Sequence, residues 1–441
     1  MPPSGLGLHR WFGRPIAGAA IVAAAAGLSL FAPAAVLPDI AEHFGHPLSG
    51  ESLADQAGLP GTVLGAGLGL IRITALAALP LAAVADRSGR RPVLLAWAAL
   101  GLGLTVAAAA MPTYWWLVVV LAAARPLLTA ANTVGEVLVA ELTASTDRAK
   151  ALALMAAAYG VGAGVVPVLR AAVPGGLGFR AVFLLAIVPL TVLPIVARLV
   201  EEPRRWRRSV EATLPRLVAS APLRRAARGR VVAMGVLVFS AAVITGPANT
   251  FLFVFAEKVL GASRALTATL VVIGGGVGFA GLLGGRALSD RVGRRPAAAG
   301  ALGMLAVAAV VAYSGSTLAL SVGYPLGLLA GSAFAPPALA LSTELFPTSV
   351  RAAVGGWLVC AGVVGSTVGL VVVGAVAGVA GFASAITMIA LPAGAAGAVL
   401  IAIPETRLQE LEESAPEPGA AGPPVDGDGN GPPDSAHRPK K

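Results

Sequence analysis

Apolar residues fall into twelve long blocks, separated by short breaks rich in charge, glycine or proline. The first six run approximately over Pro15–Leu37, Leu59–Val84, Pro92–Ala110, Trp115–Ala140, Ala149–Val173 and Arg180–Val200. The second six cover Val231–Phe255, Leu266–Leu288, Pro296–Tyr313, Leu318–Thr343, Ala352–Val379 and Phe382–Ile403. Each block holds roughly 18 to 28 residues, enough to cross a bilayer as a helix. The blocks are apolar all round. Barrel strands would alternate in ten-residue runs, so the pattern predicts helices, which satisfy their own backbone hydrogen bonds in lipid. Arg10 and Arg14 give the first block the basic flank of a signal peptide, but it is long and lacks a small-residue cleavage site before a polar start. It therefore reads as the first span.

Composition agrees with that pattern. Of 441 residues, 56% are hydrophobic and 12% charged, with mean hydropathy +0.82. Too few polar residues remain to coat a soluble fold, which excludes an ordinary soluble enzyme. A single cysteine, Cys360, excludes a disulfide framework and reads as an inert core residue. The four histidines are too scattered for a metal site, so no metal and no cofactor is expected.

Two segments depart from the apolar pattern. Residues 201–229 form a basic connector in which Leu214, Leu217, Val218 and Leu223 suggest a helix lying on an anionic membrane surface. The tail from Ser414 to Lys441 is Pro, Gly, Asp and Glu without an apolar period, the composition of disorder. The expected organisation is a six-helix bundle over 1–200, the connector over 201–229, a second six-helix bundle over 230–404 and a tail over 405–441.

Charge sets the orientation. With the N-terminus cytoplasmic and the spans alternating, 26 of the 32 Lys and Arg lie in cytoplasmic segments, ten of them between Arg198 and Arg230. Arg170, Arg180, Lys258 and Arg264 fall outside, and Arg72 and Arg125 within spans. This asymmetry places both termini in the cytoplasm of a plasma-membrane protein and accounts for the net charge of +10. The arginines are spread over every cytoplasmic loop without interleaved aromatics, so a nucleic-acid partner is not expected.

The halves repeat. Asp86-Arg87-Ser88-Gly89-Arg90-Arg91-Pro92 follows the second span, and Asp290-Arg291-Val292-Gly293-Arg294-Arg295-Pro296 follows the eighth, 204 residues later. Glu141-Leu142 with Arg148-Ala149 returns as Glu344-Leu345 with Arg351-Ala352 at an offset of 203, and so does Arg204 as Arg407. Six spans followed by six in the same orientation make a parallel repeat about an axis along the membrane normal.

These motifs resemble the major facilitator superfamily of secondary transporters. Both copies keep the D-R-x-G-R-R of that family's loop signature. They depart at its leading glycine, where Ala82 and Arg286 stand. Glu344 to Arg351 resembles the family's loop between helices 10 and 11. Pro404-Glu405-Thr406-Arg407 and Glu202-Pro203-Arg204-Arg205-Trp206 resemble segments of its sugar-porter branch. The resemblance covers about 15–413 and implies an all-α membrane protein, twelve helices in two six-helix bundles that rock about a central site. It also implies that Asp86, Arg87, Gly89, Arg90, Arg91, Glu141 and Arg148, with Asp290, Arg291, Gly293, Arg294, Arg295, Glu344 and Arg351, latch the cytoplasmic side. The arginines are expected to meet Glu141 and Glu344 across the bundles; the alternative is that they only set topology.

Charge inside a membrane is costly and points to function. Arg125 lies ten residues into the fourth span, roughly 15 Å deep, and Arg72 thirteen residues into the second, roughly 20 Å from its outer end. Both sit near the midplane of the same half. Arg125 resembles an arginine of family antiporters, without the glycine that follows it there. Its functional reading is an anionic substrate or proton transfer; its structural one is a guanidinium satisfied by backbone carbonyls or Asn132. Arg72 is open to both. Helices 1, 4, 7 and 10 line the path in the family, which adds Ser29, Asn132, Asn249, Thr250, Phe253, Tyr324 and Phe334 as candidate substrate contacts. Glu136 and Asp39 are the candidate coupling acids.

Branch markers are missing. The sugar-binding glutamines are absent around helix 7, and no Gly-Pro pair of the drug–proton antiporters stands in helix 5. Gly276 to Gly281 matches G-x-G-x-x-G but lies inside an apolar span with no preceding strand, which excludes a dinucleotide fold. Gly61, Gly65 and Gly69, and Gly274, Gly278 and Gly281–Gly285, read instead as small-residue helix contacts. No H-E-x-x-H, G-x-S-x-G or P-loop supports an enzyme. The reading is a monomeric secondary active transporter of a small organic solute, an organic anion or carboxylate-bearing metabolite, with protons or another ion as coupling partner. The alternative is a proton-driven drug or multidrug exporter.

Overall fold

The computed structural model describes residues 11–46, 56–173, 177–202 and 225–407. Ten helices cross as single rods: α1 Arg14–Ala35, α2 Gly61–Ser88, α3 Arg90–Ala108, α4 Tyr114–Leu142, α5 Arg148–Ala172, α6 Phe179–Leu199, α7 Arg225–Thr250, α8 Arg264–Val292, α9 Arg294–Ala312 and α10 Thr317–Glu344. A continuous helical stretch, Thr348–Ala395, follows. At 48 residues it would be about 72 Å long, more than twice the hydrocarbon core. Gly381, at φ 78° and ψ 165°, breaks it into α11 (348–380) and α12 (382–402). Twelve crossings result among the described residues. The amphipathic helix expected around 214–223 and the tail from 414 lie outside those residues. α7 begins at Arg225, inside the expected connector.

Local signals place the helix starts. Thr113, Ser263 and Ser316 cap α4, α8 and α10, their hydroxyls accepting from the backbone N–H groups of Trp116, Leu266 and Ala319. Thr113 and Ser316 stand 203 residues apart, so the repeat extends to the caps. The span expected over Val231–Phe255 is interrupted instead. Past Pro247, α7 ends at Thr250, and a short turn, Leu252–Val254, passes into a π-helical turn, Phe255–Val259.

Packing repeats as well. α1 lies against α5 and α7 against α11; α4 packs on α2 and α3, as α10 does on α8 and α9. The halves meet where α2 crosses α11 and α5 crosses α8, two contacts exchanged by the same pseudo-twofold axis. At the first crossing the backbones nearly touch: a methyl added at Gly65 would stand 2.7 Å from the Leu370 carbonyl and 3.0 Å from Gly374 Cα. The Gly274, Gly278, Gly281 and Gly285 face of α8 is spent inside its own half, against Leu328, Ser332, Leu329 and Ala333 of α10. Large apolar side chains such as Trp116, Val161, Phe279 and Trp357 remain exposed on the outside, a surface that needs lipid.

Candidate functional site

Three layers of polar chemistry run through the apolar bundle. The first sits on the face carrying the two D-R-x-G-R-R loops, here called the basic face. Gly89 (φ 98°) and Gly293 (φ 113°) turn the chain between α2 and α3 and between α8 and α9, in a backbone region that side chains rarely enter. Arg90 reaches Asp86 at 2.6 Å and Glu141 at 3.2 Å; Arg294 reaches Asp290 at 2.9 Å and Glu344 at 3.4 Å. These pairs form within one half. The expected pairing across the bundles is corrected accordingly, because Arg90 opens α3 beside the end of α4 and cannot also span to the other half. Arg87 and Arg291 are exposed. Arg351 donates to the Phe346 carbonyl, while the Arg91 guanidinium donates to that of Ala197. Arg148 is half-buried, its Nε without a hydrogen-bond partner among the described residues.

Sequence reasoning placed Glu202 and Glu405 only in a resemblance, and they prove central to these loops. The Glu202 carboxylate accepts from the backbone N–H groups of Arg90 (2.6 Å) and Arg91 (2.9 Å). Glu405 does the same for Arg294 (2.9 Å) and Arg295 (3.0 Å). Each acid, brought from the end of α6 or α12, neutralises the positive end of α3 or α9. Their separation of 203 residues was the available signal. The repeat is not exact: the Thr406 hydroxyl donates to Glu344, whereas the 203 offset puts Pro203 at the corresponding position, and Glu141 Oε2 has no hydrogen-bond partner among the described residues.

The second layer is at mid-depth. Arg125 and Ser29 line a crevice of about 10 Å³ with Ile71, Thr105, Ala124 and Leu128. Arg72 and Tyr159 are the electrostatic neighbours of Arg125. The Nε atoms of both arginines and the Ser29 hydroxyl are shut off from solvent and unpartnered among the described residues. Asn132 does not serve Arg125: its amide donates to Glu136 at 2.8 Å. Two guanidinium groups thus share one region with no carboxylate paired to either among the described residues. Tyr159 escaped the sequence reading because a lone tyrosine in an apolar span carries no signal of its own.

The other half holds a larger chamber, about 220 Å³, between α7, α9 and α10. Asn249 and Tyr324 line it, with Thr245, Leu305, Tyr313, Leu328 and Ser332. Of the other residues expected there, Thr250 turns its hydroxyl back to the Gly246 carbonyl, and Phe334 is buried off the chamber. Phe253 is fully buried and meets Phe31 of the opposite half, ring centroids 6.0 Å apart.

The third layer closes the face opposite the basic one. Arg170, in the last turn of α5, is 1% exposed and serves carboxylates from both halves. Its guanidinium donates to Asp39 at 2.9 and 3.2 Å and to Glu257 at 3.1 Å through each terminal nitrogen. Arg264 reaches Asp39 at 3.2 Å and lies 3.9 Å from Glu257, which also accepts from the Thr267 hydroxyl. On the rim, Lys258 bonds Glu42 at 2.6 Å. Asp39, expected as a coupling acid, is therefore tied into an inter-half ion cluster. Glu136 stays exposed, engaged with Asn132.

A family model, Major Facilitator Superfamily, matches residues 18–328. Among curated relatives, a probable 4-methylmuconolactone transporter of Cupriavidus pinatubonensis is 28% identical over 294 residues. That match takes in 62% of this chain and 65% of the relative, so the chain spans just under two thirds of its length. The fold superposes on the inward-open xylose transporter XylE of E. coli with a TM-score of 0.69 at 17% identity, covering 90% of this chain and 99% of that one. A bacterial homologue of the lysosomal transporter Spinster, inward-facing and occupied, gives 0.67 at 15% identity over 88% and 95%. The human organic anion transporter MFSD10 gives 0.61 at 17% identity over 88% and 99%.

Proposed function

Because this chain belongs to the Major Facilitator Superfamily, a family of multi-pass membrane transporters, we propose that it carries a small organic anion by alternating access. The observation that supports this reading is the pair Arg72 and Arg125, unneutralised at mid-depth. Each arginine keeps a buried, unpartnered Nε while its side chain stays half-buried, so an incoming carboxylate gains charge-assisted hydrogen bonds there. A cationic drug would meet two like charges there, which disfavours the multidrug alternative. The relative's named substrate, a methylmuconolactone, is a small organic solute and fits the same class.

On this reading the basic face is cytoplasmic in a plasma membrane, and the ion cluster around Arg170 seals the external side. The structure then stands in an inward-facing state. The two D-R-x-G-R-R loops, each braced within its own half, come together to latch the basic face in the outward-facing state, and Glu136, near the basic end of α4, is the acid available for proton coupling.

Ligand-induced thermal stabilisation of the purified protein, against matched panels of organic anions, cations and neutral sugars, tests this. A ligand at about a hundred times its Kd adds roughly 2.7 kcal/mol. Anion hits that vanish in Arg125→Gln are expected. Cation or sugar hits that survive Arg125→Gln would overturn the proposal.

A further inference from the structure

α4 and α10 keep one register from end to end. Their caps, Thr113 and Ser316, stand 203 residues apart, and so do their terminal acids, Glu141 and Glu344. Along that register Leu121, Ala124 and Leu128 become Tyr324, Gly327 and Gly331. The first three line the crevice of about 10 Å³ in the N-terminal half, and the second three line the chamber of about 220 Å³ between α7, α9 and α10. Two alkyl walls are cut back to glycine and a third is exchanged for a phenol. The crevice has room for about one water, whereas a cavity of about 150 Å³ already admits a six-membered ring.

The two glycines hold space open and are not needed for close packing. A methyl added at Gly327 would meet only Ala308 Cβ at 3.9 Å, and one at Gly331 only Thr245 and Leu305 at 3.7 and 3.8 Å. One turn earlier, a methyl at Gly323 would collide with the Ala312 backbone. Glycine inside a helix is destabilising, so its use where alanine fits calls for another reason.

The polar groups around the chamber supply that reason. Most are spent on the protein itself. The Thr245 hydroxyl donates to the Ala241 carbonyl and the Tyr313 hydroxyl to that of Ala248, while the Ser332 hydroxyl sits against Gly278 of α8. Two are not spent. Tyr324 is 6% exposed, and its hydroxyl has no hydrogen-bond partner among the described residues, yet it is not sealed in protein. Asn249 donates to the Thr245 carbonyl at 2.9 Å, and its amide oxygen accepts from nothing among the described residues. A free phenol thus stands on the α10 wall and a free amide oxygen on the α7 wall. No charged residue lines the space among the described residues. A charged ligand would be buried there without a counter-ion. A sugar would bring more hydroxyls than two free groups can satisfy.

We infer that the chamber is a binding site for a small uncharged alcohol, an apolar ring carrying one hydroxyl. The ring fills the space left by Gly327 and Gly331. Its hydroxyl accepts from the Tyr324 phenol and donates to the Asn249 amide oxygen, which one hydroxyl can do at once. The site lies wholly within the C-terminal half, and neither Arg72 nor Arg125 lines it, so it goes beyond the anion reading and stands or falls without it.

The test is calorimetric titration of the full-length protein in detergent with cyclohexanol, cyclohexanecarboxylate and glucose. Uptake of cyclohexanol by the micelle is common to every variant and cancels between them. Cyclohexanol is expected to saturate one site, and the charged acid and the sugar are expected not to compete for it. Tyr324→Phe and Asn249→Ala should each weaken cyclohexanol roughly five- to tenfold, as one hydrogen bond allows. Gly327→Leu, whose side chain grows into the open space, should abolish binding, with the folded state checked by size exclusion. Should that variant not fold, Gly331→Ala should weaken methyl-substituted cyclohexanols more than cyclohexanol itself. No saturable heat with cyclohexanol, the chamber then holding water only, would overturn the inference. So would an affinity unchanged in both Tyr324→Phe and Asn249→Ala, or displacement of cyclohexanol by the acid or the sugar.

Discussion

Replacing Glu257 by Gln should unlock the face opposite the D-R-x-G-R-R loops. Arg170 is 1% exposed and Glu257 8%, so solvent screens their contact little. Removing one partner of a buried ion pair costs about 3–5 kcal/mol. Arg170 keeps Asp39 in its own half, so the lower end of that range applies. About 3 kcal/mol is roughly a hundredfold in the ratio of closed to open at this face, at about 1.4 kcal/mol per factor of ten. Such a change moves a population of 99:1 to near 1:1. The rim pair Lys258–Glu42 is 22% and 55% exposed, and a pair of that kind contributes about 0–1 kcal/mol. Lys258→Gln therefore serves as the control. Spin labels at positions 110 and 314, exposed at the ends of α3 and α9 in a Cys360→Ala background, report the separation by pulsed dipolar spectroscopy. Glu257→Gln should add a long-distance component that Lys258→Gln does not. An unchanged distribution in Glu257→Gln, or an equal shift in Lys258→Gln, refutes the assignment of the seal to Arg170.

Other perturbations read the remaining layers. Gly293→Ala forces a side chain into positive φ and brings its Cβ to 2.8 Å from Glu405 Oε2, so thermal unfolding in detergent should show a loss of about 1–3 kcal/mol. Gly103→Ala, with open space around it on a regular helix, should show none. Glu405→Ala removes the acceptor for two backbone N–H groups and should destabilise by about 1.5–3 kcal/mol, with faster hydrogen exchange confined to the first turn of α9. Gly65→Ala drives a methyl against the Leu370 carbonyl across the half–half contact; transport in proteoliposomes should fall while the folded fraction by size exclusion stays high.

Much of this architecture is legible in the chain, for identifiable reasons. A lipid-exposed helix must be apolar along its whole length, so the spans announce themselves, and Val379 and Phe382 bracket the break that Gly381 makes. The basic-face network was legible because it is written twice, 203 or 204 residues apart. What escaped is what depends on a partner far along the chain. Arg170 reads as an outer-loop cation until it is seen that Asp39 and Glu257, 131 and 87 positions away, converge on it. Phe253 reads as a cavity aromatic, yet the break of α7 at Thr250 turns it onto Phe31. The glycines of α10 carry no sequence mark of a chamber, because their effect depends on how far α7 and α9 stand off.

The cluster around Arg170 has an electrical consequence. Divided along the plane between the halves, it separates into Arg170 with Asp39 on one side and Arg264 with Glu257 on the other. Each fragment is neutral. Only the rim pair leaves one charge on either side, and it stands at the exposed edge. A whole charge moved through the full membrane field is worth about 2.3 kcal/mol per 100 mV, and parting two neutral fragments moves almost none. The seal can therefore open and shut at similar cost whatever the membrane potential. On the proposed anion reading, voltage sensitivity of the cycle then originates with the cargo and the two arginines proposed to meet it.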